Sequence, residues 1–190
     1  LKIHCLFIDP QVGFVDDINF TPNLPGGHMN LAVPGAKQDM ANIASVIRRG
    51  KDSIEDIHTT MDSHNTIHIA TPIFWKDRQG NHPAPFTLIS AQDVRDGVWR
   101  ATKVSLQRRA LDYVEALETN GRYALVIWPP HCIIGTQGHE IYPSVREAMF
   151  EWEQNFAVGD FVTKGSNPYT EHYSAVKADV PDPQDITSQL

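Results

Sequence analysis

The 190-residue sequence has only two cysteines, Cys5 and Cys132, too few for a disulfide framework. That scarcity suits a reducing compartment and makes a cytoplasmic protein the expectation. Long hydrophobic runs are missing too. The apolar opening, residues 1–8, is too short for a signal sequence or a membrane span, and it ends on Asp9 where a small-residue cleavage site would stand. Basic charge is in short supply: 16 Lys and Arg face 23 Asp and Glu, a formal net charge of −7. No basic patch of the kind nucleic acid requires is therefore expected. Repeats and low-complexity tracts are absent, and so is an initiating Met, as though the start had been trimmed. What remains, with 41% hydrophobic and 21% charged residues, fits one enzyme-like domain over residues 1–190 with a real core.

Strand and helix patterns alternate along the chain, which predicts an α/β domain on a mainly parallel sheet. Residues 3–8 form a short apolar run of the kind buried between helices, closed by Asp9. A loop rich in Asn, Pro and Gly follows over residues 16–35. Met40, Ile43, Ala44 and Ile47 then recur at helical spacing before Gly50. Residues 53–61 read as a second strand running into Asp62. Residues 76–99 lack a period and contain Gly80, Pro83 and Pro85, which predicts a loop or lid. Leu106, Ala110, Val114 and Leu117 mark a helix ending before Gly121, and residues 123–128 a strand. Pro143 starts a helix carrying Val145, Ala148, Met149 and Trp152, and residues 156–163 read as extended up to Lys164-Gly165.

Ligands in open α/β sheets bind beyond the carboxyl ends of the strands, where distant residues converge. Asp9, Asp62, His64, His131 and Lys164 all fall at such ends. One carboxylate and up to three imidazoles, in Asp62-Ser63-His64 with His68 and in Trp128-Pro129-Pro130-His131, are the nitrogen and oxygen donors a borderline divalent metal takes. Each residue alone also has a bland reading. Asp9 suits a turn, Lys164 a solvated loop, Phe14 and Trp128 an ordinary core, and Cys5 a small buried position.

Five collinear motifs add a resemblance. Asp9-Pro10-Gln11-Val12-Gly13-Phe14, residues 31–36, Asp62-Ser63-His64 with His68, Trp128-Pro129-Pro130-His131-Cys132-Ile133-Ile134-Gly135-Thr136, and Lys164-Gly165 with Tyr169 and Tyr173-Ser174 beyond it resemble the ordered motifs of the nicotinamidase/pyrazinamidase family. The match spans nearly the whole chain apart from a long insertion between His68 and Trp128. That family belongs to the isochorismatase-like cysteine hydrolases, whose other amidases generally lack the Asp-x-His and distal His.

The resemblance implies a three-layer α/β/α fold and a metal-dependent amidase acting on nicotinamide in NAD salvage; neither nucleic acid nor membrane is expected as a partner from the charge and apolar pattern above, and a homo-oligomer is compatible. Asp62, His64 and His131 would hold the metal, with His68 as a further ligand or as support for one. Zn2+ is the first expectation, and Mn2+ or Fe2+ fits the same donors. The metal would take the pyridine nitrogen, while Phe14 and Trp128 sandwich the ring. Asp9 would be general base to a nucleophilic cysteine and Lys164 would lower the thiol's pKa. The thiolate would form a thioester that water then cleaves, giving nicotinate.

The sequence departs from that family at the nucleophile, which there lies well after Lys-Gly. Cys5 sits inside the first strand and Cys132 aligns with a non-catalytic position. The chain therefore reads as an N-terminal portion whose last residues, 183–190, begin a helix near Asp185, and which would be inactive alone. Two other readings stay open: a related cysteine hydrolase on another small amide, and a non-catalytic metal-binding domain.

Overall fold

The computed structural model describes residues 2–17, 23–24, 27–28, 30–119 and 123–185. Gly121 and the helix expected after Asp185 lie outside these residues. The chain has two compact units: residues 1–63 with 131–164, and residues 64–130 with 165–190.

The first unit is built on a parallel sheet. Strand β1 (Ile3–Phe7), the ribbon β2 (Asn23–Leu24) and β3 (Gly27–His28), helix α1 (Ala36–Gly50) and strand β4 (Ile54–Asp62) come first along the chain. β4 lies between β1 and a late strand, Asp160–Lys164, and is parallel to both. The class is therefore the mixed α/β expected. Helix α1 forms because Met40, Ala44 and Ile47 fall on one stripe, and all three are buried. Asp39 in its first turn and Arg48 and Arg49 in its last complement the helix dipole. A second helix, Pro143–Glu153, starts on proline and buries Val145, Ala148, Met149 and Trp152. The two helices pack together over Ile54 and Ile57 of the central strand, and Arg48 forks onto Glu151 at 3.0 Å. Indole Nε1 of Trp152 donates to the Ile54 carbonyl at 3.1 Å, so the large ring is buried without an unpaired donor.

The second unit has its own core of Ile69, Phe74, Trp75, Ile89, Val94, Val114, Leu117, Leu125 and Ile127. It carries β5 (Trp75–Lys76), β6 (Leu88–Ile89), α2 (Ala91–Arg95), β7 (Arg100–Ala101), α3 (Gln107–Thr119) and β8 (Leu125–Val126). In chain order the helix at Pro143–Glu153 is then α4 and the strand at Asp160–Lys164 is β9. Two sequence expectations change here. Residues 76–99 include β6 and α2, with Ile89, Ala91 and Val94 buried. The signal was Ser90-x-x-Asp93, a capping box in which each side chain bonds the other's backbone amide. The strand expected over residues 123–128 is the two-residue β8, paired antiparallel with β6 and not part of the parallel sheet. Its alternating Leu125 and Ile127 are buried in the second unit's own core. Among the described residues no helix is long and apolar enough to cross a membrane.

Because Ile57 is 1% exposed at the centre of the first unit's core, Ile57→Ala should cost about 2–5 kcal/mol by transfer and cavity terms. Urea denaturation followed by far-ultraviolet circular dichroism measures this. A loss below about 1 kcal/mol would mean that the core around β4 collapses to fill the gap.

Candidate metal centre

Register brings the key side chains together in the first unit. β4 and β9 run parallel with Asp62 opposite Lys164, so both project from the same end of the sheet. β1 stops earlier, and Asp9 follows it with φ at +47°, a left-handed conformation uncommon for a non-glycine residue. Its amide donates to the Thr60 carbonyl at 3.2 Å, and the Thr60 hydroxyl donates to Asp9 Oδ1 at 2.6 Å. The turn thereby swings the carboxylate over the strand ends.

Lys164 lies between the two carboxylates. Its Nζ is 3.0 Å from Asp9 Oδ2 and 3.0 Å from Asp62 Oδ1, and the lysine is 7% exposed. Burial alone would push its proton off. The charges of Asp62 and Asp9 and their hydrogen bonds outweigh that and hold the ammonium above its ordinary pKa. The other oxygen of Asp62, Oδ2, meets His131 Nε2 at 3.2 Å. Two ligands about 2.0–2.2 Å from one tetrahedral ion stand about 3.4 Å apart, so this pair has the spacing of co-ligands.

Phe14, in the short turn Val12–Phe14, sets its ring 5.4 Å from that of His131. The close approach of this turn to the His131 loop depends on Gly13. A Cβ there would stand 2.7 Å from Cys132 Sγ and 2.9 Å from the Gly138 carbonyl oxygen. Cys132 is 0% exposed, with φ at +46°. Burial first, then the Asp62 and Asp9 charges, raise its thiol well above the ordinary range, and Lys164 offsets only part of this. Such a thiol stays protonated. Cys5, half-buried in β1, is also raised by burial.

His64 is the first residue of the second unit and the second after Asp62, so chain connectivity keeps its backbone within about 7 Å of Asp62's. Its Nδ1 lies 3.1 Å from the Gly165 carbonyl, a contact that requires the proton on Nδ1 and leaves the lone pair on Nε2. His68 packs its ring 4.7 Å from that of His64. Its Nε2 is 3.0 Å from the Thr170 carbonyl, and its Nδ1 accepts from the Ala70 amide at 3.2 Å. Glu171 Oε1 also lies 3.1 Å from that Nδ1, so both ring nitrogens have partners within the second unit. Trp128, also in the second unit, donates from Nε1 to the Tyr173 hydroxyl at 3.1 Å and meets Phe86 edge-on.

Sequence reasoning missed Gln11 and Thr60, which hold Asp62 and Asp9. The Thr60 signal was the alternation of a strand, since positions 60 and 62 share a face.

No family model and no curated protein matches this sequence. Solved structures do. The yeast nicotinamidase Pnc1p bound to the inhibitor nicotinaldehyde superposes with a TM-score of 0.57 at 16% identity, over 94% of this chain and 63% of that one. A nicotinamidase/pyrazinamidase from Acinetobacter baumanii gives a TM-score of 0.51 at 24% identity, over 93% of this chain and 57% of that one. The likeness is one of fold, the isochorismatase-like α/β fold, and the chain spans about three fifths of the length of these structures.

Lys164→Met should destabilise the protein by about 3–5 kcal/mol at neutral pH, because it leaves the buried Asp62 and the partly buried Asp9 carboxylates without a counter-charge. With its folded pKa raised, the wild-type lysine keeps its contribution below about pH 10.4 and loses it as pH rises through the folded value. Denaturant titrations of both proteins at several pH values measure this, and equal stability would deny the ammonium its structural role.

Proposed function

We propose that the chain carries the metal-binding and acid–base part of a nicotinamidase-type amidase site, acting on a small aromatic amide of which nicotinamide is the model. The observation that carries this reading is the Asp9–Lys164–Asp62–His131 array, in which one buried ammonium bridges two carboxylates and an imidazole faces the far oxygen of the second. The fold shared with solved nicotinamidases supports it.

Asp62, His64 and His131 would hold the metal, each offering one donor atom from a buried side chain. The donor set fits a borderline divalent ion, zinc first, with manganese or iron(II) compatible. Bound there, the ion would supply Lewis-acid affinity for a ring nitrogen and so orient the substrate. Phe14 and Trp128 would contribute aromatic faces. Asp9, held by Lys164 and Thr60, is the carboxylate with which the chain would take a proton from an attacking thiol and return it to the leaving ammonia. Lys164 would favour the thiolate by its charge.

Neither thiol described above suits the role of nucleophile. Cys132 is buried and protonated, and Cys5 lies within β1. The 190 residues alone are therefore expected to bind metal and amide without turning the amide over. A product of nicotinate, and with it a role in pyridine-nucleotide salvage, belongs to the site completed by an activated thiol.

Metal analysis after zinc loading and desalting should find one ion per chain in the wild type and less than a tenth of that in His131→Ala. Stoichiometric zinc in both would sink the ligand set. Nicotinamide should also quench tryptophan fluorescence in the zinc-loaded wild type but not in the variant, and equal quenching would dissociate amide binding from the metal.

Ammonia release from nicotinamide by the zinc-loaded 190-residue chain should stay at background. Turnover that Cys132→Ala abolishes would instead make Cys132 the nucleophile.

A further inference from the structure

Gln11 takes no part in the chemistry above, yet it is 0% exposed and all its polar side-chain groups are satisfied. Its Nε2 donates to the Asp62 carbonyl at 2.8 Å and to the His139 carbonyl at 2.9 Å, and its Oε1 accepts the Asp62 amide at 2.7 Å. One side chain thus joins the segment after Asp9, the end of β4 and the loop that carries His131. All three lie in the first unit.

The reason for this arrangement lies in the ladder. In a parallel sheet the amide and carbonyl of one residue point to the same neighbour. Ser63 donates its amide to the Lys164 carbonyl on the β9 side, whereas Asp9 reaches the Thr60 carbonyl on the β1 side. Asp62, in phase with Thr60, therefore turns its amide and carbonyl toward β1, which has already turned away at Asp9. The carboxamide of Gln11 acts as a substitute peptide group and continues the ladder one step past the end of the strand. Its second N–H extends the tie to His139, and the same loop is held again by Ser63 Oγ and His139 Nε2, 2.7 Å apart.

We propose that Gln11 is a positioning residue for the metal centre: it fixes the Asp62 backbone against the His131 loop, so that carboxylate and imidazole are held at ligand spacing before an ion arrives. This rests on the metal reading given above. Two substitutions separate the donor and acceptor roles. Gln11→Glu keeps an acceptor for the Asp62 amide but faces two carbonyls with a carboxylate in place of an N–H2 group. Gln11→Met keeps the volume and removes all three bonds. Tyr142→Phe, which deletes the 2.9 Å side-chain bond from Tyr142 to Asp17 and leaves the Tyr142 backbone bond to Pro10 in place, serves as a destabilised control in the same unit.

Zinc dissociation constants are measured by chelator competition for wild type, both Gln11 variants and Tyr142→Phe, beside their melting temperatures and the exchange rate of the Asp62 amide. Both Gln11 variants should bind zinc about 10–100-fold more weakly, the range for groups that orient ligands, while the control, of similar melting temperature, binds like wild type. Affinities within twofold of wild type in a folded Gln11 variant would overturn the proposal. So would an equal loss in Tyr142→Phe, since that would reduce the effect to general stability. If Gln11→Glu does not fold, Gln11→Met decides. Should the wild type bind no zinc, the metal reading fails, and the brace is judged by the Asp62 amide alone. Slow exchange in wild type and fast exchange in Gln11→Met upholds it, and equal exchange rejects it.

Discussion

The buried ammonium of Lys164 is the interaction on which the site depends. Two carboxylates at the end of one sheet, both largely withdrawn from water, would repel each other if nothing stood between them. Lys164, at 3.0 Å from each, supplies the opposing charge between them. The array still carries one net negative charge, from two carboxylates and one ammonium. Such a group attracts a cation, and the oxygen of Asp62 that Lys164 does not use is the one facing His131.

Holding that array requires backbone that does not relax. Asp9 and Cys132 both occupy the left-handed region, at φ +47° and +46°, and each adjoins a residue or is itself a residue of the site. Conformations of this kind cost about 1–3 kcal/mol each and persist where surrounding contacts over-determine them. Those contacts are identifiable here. Thr60 holds Asp9 through its hydroxyl and carbonyl, and Gly13 allows the turn before Phe14 to lie against Cys132. Cys132 is packed against this turn, and its burial and the nearby carboxylates of Asp62 and Asp9 disfavour a thiolate.

Local pattern made much of the first unit legible. The apolar run of β1, the Met40–Ala44–Ile47 stripe, the strand ending on Asp62 and the proline-led helix at Pro143 are each specified by neighbours within a few turns, so periodicity finds them. The second unit was harder to read. Leu88–Ile89 and Leu125–Val126 are two-residue strands that exist because they pair with each other, and no period can be seen in two residues. The helix capped by Ser90 and Asp93 is only five residues long and flanked by Gly80, Pro83 and Pro85, so its period is too short to stand out.

The sequence by itself determined which residue types were available and in what order: a carboxylate after the first strand, Asp-x-His after the second, a histidine after Trp-Pro-Pro, and a lysine closing the last strand. Those are covalent facts, and strand alternation adds which of them share a face. Only the tertiary structure decided that Asp9 and Lys164, 155 positions apart, meet at one ammonium. It also decided that His68 spends both ring nitrogens on its own unit and that the Gln11 carboxamide bonds the Asp62 backbone just past the end of β1. The physical reason is that parallel pairing joins segments through crossovers whose length the sequence pattern does not encode. Which backbone groups a turning strand leaves to be satisfied by a side chain is fixed only when the register is set.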